Sequence, residues 1–451
     1  MAAPAWLRSF AIDVTPLRRY RELRLLFIGQ GVSLFGSMVT SVAVPYQVYK
    51  LTGSSLWVGF IGLVDIVAIV GVAFVAGALA DSVDRRRMVR ISEAMLMATS
   101  IGLLVNGVAP HPSLAAVFAL DFALAGGDAL QRPSLDSMVP RLVATGDLPA
   151  TQAIDSVLST TATLVGPALG GVLIAVAGLG AAYGFDVATF VISLAALARM
   201  TAMPPPQDAE RPSLARVKEG LRYARSRQEL LGTYVVDMAA MFFGMPLALF
   251  PAFAARLGGA AVLGVLYATP AAGSLIASLT SGWTKRVNHH GRAVMAAAMV
   301  WGAGIAGFAA APTLWLALPS LAVAGGADML SGTFRSLIWN ITIPDSLRGR
   351  LASIELISYS SGPSLAGIES GLAVRLVGTR GSGVSGGVLC IVSVAALTAA
   401  LPGFWRYDVR RWRAEHPEAE PAEAGSERSQ THATGGRVSP DPIREVSSES
   451  G

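Results

Sequence analysis

Several carboxylates stand inside stretches of sequence that are otherwise apolar: Asp65, Glu93, Asp121, Asp128, Asp186, Asp237, Asp328, Glu355 and Glu369. A carboxyl in such a setting can take up and release a proton, accept hydrogen bonds from a polar ligand, or pair with a cation. The one basic residue in these stretches is Arg199, near the end of the stretch that holds Asp186, so proton handling is the first chemistry to consider. A carboxylate at the centre of a membrane helix costs roughly 2.5–3.5 kcal/mol, so each should face other helices or an aqueous cavity. Polar companions recur at helical spacing. Gln30, Ser33, Ser37 and Thr40 make one stripe, and Glu355, Ser358 and Tyr359 make an i, i+3, i+4 face. Such stripes line a pathway or pack against a neighbouring helix.

The elements that position these groups follow from composition. Of 451 residues, 53% are hydrophobic and 14% charged, where about a quarter is usual for soluble proteins. The class expected is an all-α membrane protein. A hydrocarbon core of about 30 Å needs about 20 apolar residues per helix. Twelve stretches qualify, at 25–48, 56–80, 91–109, 113–131, 157–177, 180–201, 232–254, 260–283, 293–311, 314–334, 352–374 and 383–403. Glu93, Asp128, Asp328 and Glu355 fall near span ends on the side of the termini. Asp128 beside Arg132 and Asp328 beside Arg335 suggest ion pairs there.

Of 35 lysines and arginines, only Lys50, Arg256, Arg375 and Arg380 fall in loops on the side away from the termini. Basic residues concentrate on the cytoplasmic side, which puts both termini in the cytoplasm and gives the net charge of +5 a topological rather than nucleic-acid meaning. The N-terminus shows no signal-peptide pattern.

Other chemistries lack their residues. The single Cys390 excludes an intrachain disulfide and a cysteine metal cluster. Gly381-Ser-Gly383-Val-Ser-Gly386 matches a dinucleotide pattern without a preceding strand, His289-His290 has no further metal ligands nearby, and no Walker loop is present. No paired catalytic constellation marks either membrane face, so no enzyme activity, catalytic residue, metal or bound cofactor is expected.

The chain is also organised as a duplication. A short N-terminal segment, 1–24, precedes a six-span half, 25–201; a polar linker, 202–231, leads to a second half, 232–403; the remainder, 404–451, reads as a disordered cytoplasmic tail. Pro45 and Lys50 correspond to Pro251 and Arg256, Gly59 and Gly77 to Gly264 and Gly282, Asp128 to Asp328, and Gly166-Pro167 to Gly362-Pro363. Two pseudo-symmetric six-helix halves suit a secondary transporter.

The loop Gly77-Ala-Leu-Ala-Asp81-Ser-Val-Asp84-Arg85-Arg86-Arg87 resembles the signature loop of the major facilitator superfamily. FIGQGVSLFGSMVTSVAVPYQVYKLTGSS, VVDMAAMFFGMPLALFPA and RGRLASIELISYSSGPSLAG resemble its enterobactin-exporter branch. Ala162-x-x-x-Gly166-Pro167-Ala-Leu-Gly170-Gly171 is similar to the antiporter motif of drug exporters, with alanine in its first place; small residues there also serve plain helix packing. The resemblance implies the major facilitator fold in a bacterial cell (inner) membrane, a small-molecule substrate, a monomer and no nucleic-acid partner. It further implies export of a siderophore or hydrophobic drug-like compound by proton antiport, with the proton gradient in place of a cofactor. Gly77, Asp81, Arg85, Arg86 and Arg348 would form a cytoplasmic gate. Spans one, four, seven and ten would line the pathway, which favours Asp237 first and Asp121 second as coupling or binding groups, with Gln30, Ser33, Glu355 and Tyr359 beside them, and leaves Asp65 aside. Uptake by symport, or a non-transporting membrane enzyme or transceptor, are the alternative readings.

Overall fold

The computed structural model describes residues 13–82, 84–201, 222–343 and 345–415, and within these the side chains of all but 73–82, 345–350, 352–361 and 413. The principal helices are α1 (Arg21–Thr52), α2 (Ser55–Ser82), α3 (Arg85–Val108), α4 (Leu114–Leu142), α5 (Leu148–Ala198), α6 (Gln228–Gly244), α7 (Phe250–Leu257), α8 (Ala260–Leu279), α9 (His290–Ala310), α10 (Leu314–Thr342) and α11 (Asp345–Ala400). A 3₁₀ turn at Leu247–Leu249, next to Pro246, joins α6 to α7 in one crossing. No strand occurs among the described residues. The contacts divide the chain into two units, through Tyr407 and from Asp408 onward.

Among the described residues, ten segments are long and apolar enough to cross a bilayer. Two of the helices are too long to cross once. With 51 residues in α5 and 56 in α11, straight helices would measure about 75 and 85 Å. Each is interrupted by a glycine that only a residue without a side chain adopts easily: Gly178 at φ 78°, ψ −179°, and Gly378 at φ 74°, ψ 172°. Contacts along α1 show that the chain turns back at Gly178. In the first arm of α5, Leu158, Gly166 and Gly170 meet Gly31, Met38 and Val39 in rising order; in the second arm, Ser193, Asp186 and Tyr183 meet Gly29, Gly36 and Gln47 in falling order. Across Gly378, the Ser382 hydroxyl donates to the Ser370 carbonyl at 2.8 Å. Counting both arms of α5 and α11 is consistent with the twelve crossings expected.

No neighbour comes within 4 Å of a Cβ built on Gly178, so an alanine there is opposed by backbone conformation alone. Gly178→Ala should cost about 1–3 kcal/mol in thermal or denaturant unfolding. Gly184→Ala, equally uncrowded but inside a helix, should be neutral or slightly stabilising.

The packing repeats. In the first group α1 lies on α5, α2 on α4, and α3 on both α4 and α5; in the second, α6 lies on α11, α8 on α10, and α9 on both α10 and α11. The two most extensive contacts between the groups are α2 with α11 and α5 with α8, and exchanging the groups converts one into the other. That is the two-fold relation expected of a duplicated chain. Val105, Val176, Leu372 and Leu376 are exposed on this body; in lipid such a surface carries no hydrophobic penalty.

Both of these contacts are made by glycine. Gly59 lies on Gly367, Gly62 on Ser364, and Gly371 on Leu56; Gly171 lies on Gly264, which also touches the Pro167 carbonyl. All of these sit toward the helix ends remote from the start of α1, and together they seal that side.

Two helices continue past the stretches that hydropathy delimits. α4 runs beyond 131 to Leu142 and α10 beyond 334 to Thr342, carrying Arg132, Arg141 and Arg335 in helical backbone. The hydropathy stretches stop at the first arginine, whereas the helices continue because these charges have protein partners or a polar cavity to face.

Candidate functional site

A cavity of about 1150 Å³ occupies the centre. Its lining runs from Leu26 and Phe27 at the start of α1, and Gln152 and Asp155 at the start of α5, inward to Pro45 and Gly59 at the glycine seal. The first helix group supplies most of the wall. From the second come Leu247, Ala248, Tyr267, Pro363, Ser364 and Gly367. The ionisable lining is unbalanced: Asp65, Asp121, Asp128, Asp136, Asp155 and Asp186 face the space with Arg132 as the cation among them.

Asp121 is where the sequence placed it, on a helix lining the cavity, and it is 7% exposed. Its neighbour is Asp65 of α2, which the resemblance had left aside. The two carboxyls stand close enough to interact directly. Two ionised carboxylates have no proton to donate, so a hydrogen bond between them needs one of the pair to be protonated. The pair is therefore a place where a proton can be held inside the bundle.

Gln30 and Ser33 also line the cavity, and both belong to a network around Glu93 of α3, which is 0% exposed. Glu93 accepts from Gln30 Nε2 at 2.6 Å, Gln131 Nε2 at 3.0 Å and Ser193 Oγ at 3.1 Å, with Ser33 Oγ at 3.5 Å. Helices α1, α3, α4 and the second arm of α5 thus meet on one carboxyl. Asp186, also buried, accepts at Oδ2 from Thr40 and Ser100, each at 2.7 Å. The α1 stripe is polar because it reaches these two acids.

Asp237 has a different setting. Arg335 Nη1 lies 2.6 Å from its Oδ1, with side-chain exposures of 12% for the arginine and 6% for the aspartate. The sequence suggested Asp328 as the arginine's partner; the close ion pair goes instead to α6. Tyr234 and Trp339 stack beside it with centroids 5.5 Å apart, and Trp339 donates to Thr233 Oγ1 at 2.8 Å. Asp237 is absent from the residues lining the central cavity.

The small-residue motif of α5 is divided between two faces. Gly166 and Gly170 admit Met38 and Val39 of α1, within the first group, whereas Pro167 and Gly171 meet α8 of the second. Arg85 donates to the Ser137 carbonyl at 2.8 Å, and Arg86 to the carbonyls of Leu197 and Ala198 at 2.9 and 2.7 Å, which ties the start of α3 to α4 and to the end of α5. The side chains of Gly77's neighbour Asp81, of Arg348, Glu355 and Tyr359, and the surroundings of Gly77, lie outside the described residues.

The transmembrane secretion effector family of the major facilitator superfamily matches residues 12–423. The chain belongs to that family. The enterobactin exporter EntS of Citrobacter koseri is 26% identical to it over 413 residues, 91% of this chain and 98% of that one. EntS of Escherichia fergusonii is 25% identical over 414 residues, with the same coverage. Among solved structures, a POT family transporter in complex with 5-aminolevulinic acid superposes with a TM-score of 0.65 at 12% identity, covering 85% of this chain and 97% of that one. A bacterial homologue of the iron transporter ferroportin in its inward-facing state gives 0.64 at 14% identity, covering 85% and 98%. At these identities the structures speak for the fold alone. The protein is a multi-pass membrane transporter with exporter relatives, and its family is one of transporters rather than enzymes.

Proposed function

We propose that this transporter exports a small amphiphilic molecule, a siderophore or a hydrophobic drug-like compound, by proton antiport. It would sit in the bacterial inner membrane with both termini in the cytoplasm, and the helix groups 25–201 and 232–403 would rock about the central cavity in alternating access. On this reading the glycine seal closes the outer side and the cavity faces the cytoplasm. The observation that carries the reading is the Asp65–Asp121 pair on the cavity wall. A shared proton there is released when one half of the transport cycle exposes the pair to the less acidic side, and substrate takes its place among the acidic lining groups. Asp237 is assigned a structural part, since Arg335 already neutralises it. The acidic wall suits neutral or cationic substrates.

The test uses everted vesicles, acidic inside, with enterobactin and ethidium as probes. Antiport predicts probe accumulation together with partial collapse of the pH gradient, read with a gradient-sensitive dye. Asp121→Asn and Asp65→Asn should each abolish both signals while leaving the purified protein folded. Uptake of the probes by whole cells, with no accumulation in everted vesicles, would establish symport instead.

A further inference from the structure

A second cavity, of about 580 Å³, lies outside the transport pathway, where the start of α3 meets the second arm of α5. Its lining is Asp84, Arg86, Arg87, Arg90, Ile91, Ala94 and Leu194. Charge and hydropathy are separated along it. At the end nearer the termini stand three guanidinium groups; beyond them the wall is aliphatic.

The three arginines have different duties. Arg86 is committed, donating to the Leu197 and Ala198 carbonyls, and so fixes the floor of the groove between the two helices. Arg87 and Arg90 are exposed and stand three apart on one helix face. Neither makes an ion pair with a carboxylate among the described residues. Asp84, the acid of the groove, accepts from the Arg87 backbone N–H at 2.9 Å. Along the same face of α3 follow Ile91, Ala94, Ile101 and Val105, with Ile91, Ile101 and Val105 exposed by 50%, 41% and 61%. From α5, Leu194 closes the groove, and Val191 is exposed beside it.

We propose that this groove is a binding site for one anionic phospholipid of the leaflet on the side of the termini. The phosphate and its headgroup charge are held by Arg87 and Arg90, and an acyl chain runs along Ile91, Ala94 and Leu194. Charge complementarity selects the headgroup, because basic pockets between membrane helices at an interface attract anionic lipid at the equivalent of about fivefold per cation. Guanidinium forks suit phosphate oxygens bidentately. The apolar continuation selects a lipid over a soluble phosphate. Occupancy would brace α3 against α5 within the first helix group. The site depends on the chain crossing a bilayer and is independent of which way, or whether, the transporter is proton-coupled.

The experiment is native mass spectrometry of the full-length protein with added phosphatidylglycerol, phosphatidylcholine or glycerol 3-phosphate. The wild type should retain phosphatidylglycerol more than tenfold more tightly than phosphatidylcholine, and glycerol 3-phosphate should not displace it at equal concentration. The double variant Arg87→Gln, Arg90→Gln should lose roughly thirtyfold in phosphatidylglycerol affinity, and Ala94→Trp, which fills the groove without changing charge, should lower lipid retention too. Neutralising the exposed Arg410 and Arg411 should leave the preference unchanged. Equal losses from the two neutralised pairs, an unchanged preference in the Arg87/Arg90 variant, or displacement by glycerol 3-phosphate would each overturn the site.

Discussion

Asp237→Asn is expected to destabilise the protein by about 3–5 kcal/mol, and Arg335→Gln by a similar amount. The two charges are almost fully removed from solvent, at 2.6 Å separation, so removal of either leaves the other buried without compensation. Arg335 is already short of one partner, since its buried Nε makes no hydrogen bond among the described residues. The double variant Asp237→Leu, Arg335→Met removes both desolvation costs together. It should recover most of the loss and fall near wild type or above it, because buried pairs are often no more stable than apolar residues of similar volume. Thermal unfolding in detergent gives the cycle. The same double variant separates structure from coupling: with the proton held by Asp65 and Asp121, it should retain pH-driven accumulation. A stable double variant that no longer responds to the pH gradient would return the coupling role to Asp237.

That assignment shows where sequence was sufficient and where it was not. Crossings could be located because lipid demands long apolar runs, and the turn glycines at 178 and 378 fall in the gaps between expected spans. The duplication was visible in Gly166-Pro167 and Gly362-Pro363, whose counterparts occupy equivalent helices. Ion-pair partners were less accessible. Arg335 is seven residues from Asp328 but reaches α6, and only packing of α10 on α6 decides that choice. Asp65 was passed over because helix order, not side-chain direction, was used to choose the cavity wall. Glu93 was treated as a group near water, yet four hydrogen-bonding neighbours from three other helices enclose it. A polar stripe on α1 was the one signal that pointed to it, since Gln30 and Ser33 needed an acceptor.

The seal between the helix groups makes the remaining large effect. A Cβ on Gly59 would run into the Gly367 carbonyl, and one on Gly171 would stand 2.7 Å from the Ala260 carbonyl and the Gly264 Cα. These obstacles are backbone, which cannot move aside as a side chain can. Gly59→Ala and Gly171→Ala therefore oppose the form in which the groups touch, while each group keeps its own packing. An overpacking cost of about 2 kcal/mol borne by that form alone shifts its population roughly thirtyfold. Spin labels on Lys50→Cys and Arg256→Cys, at the ends of α1 and α7, should report a longer distance in either variant, and substrate flux should fall at least tenfold. Gly170→Ala supplies the contrast. Its Cβ would press on Val39 of the same group at 3.1 Å, so it should lower thermal stability without changing the label distance. If Gly170→Ala separated the labels as much as Gly171→Ala, the seal would not be the contact between groups, and the division of the α5 motif into an inner and an inter-group face would fail with it.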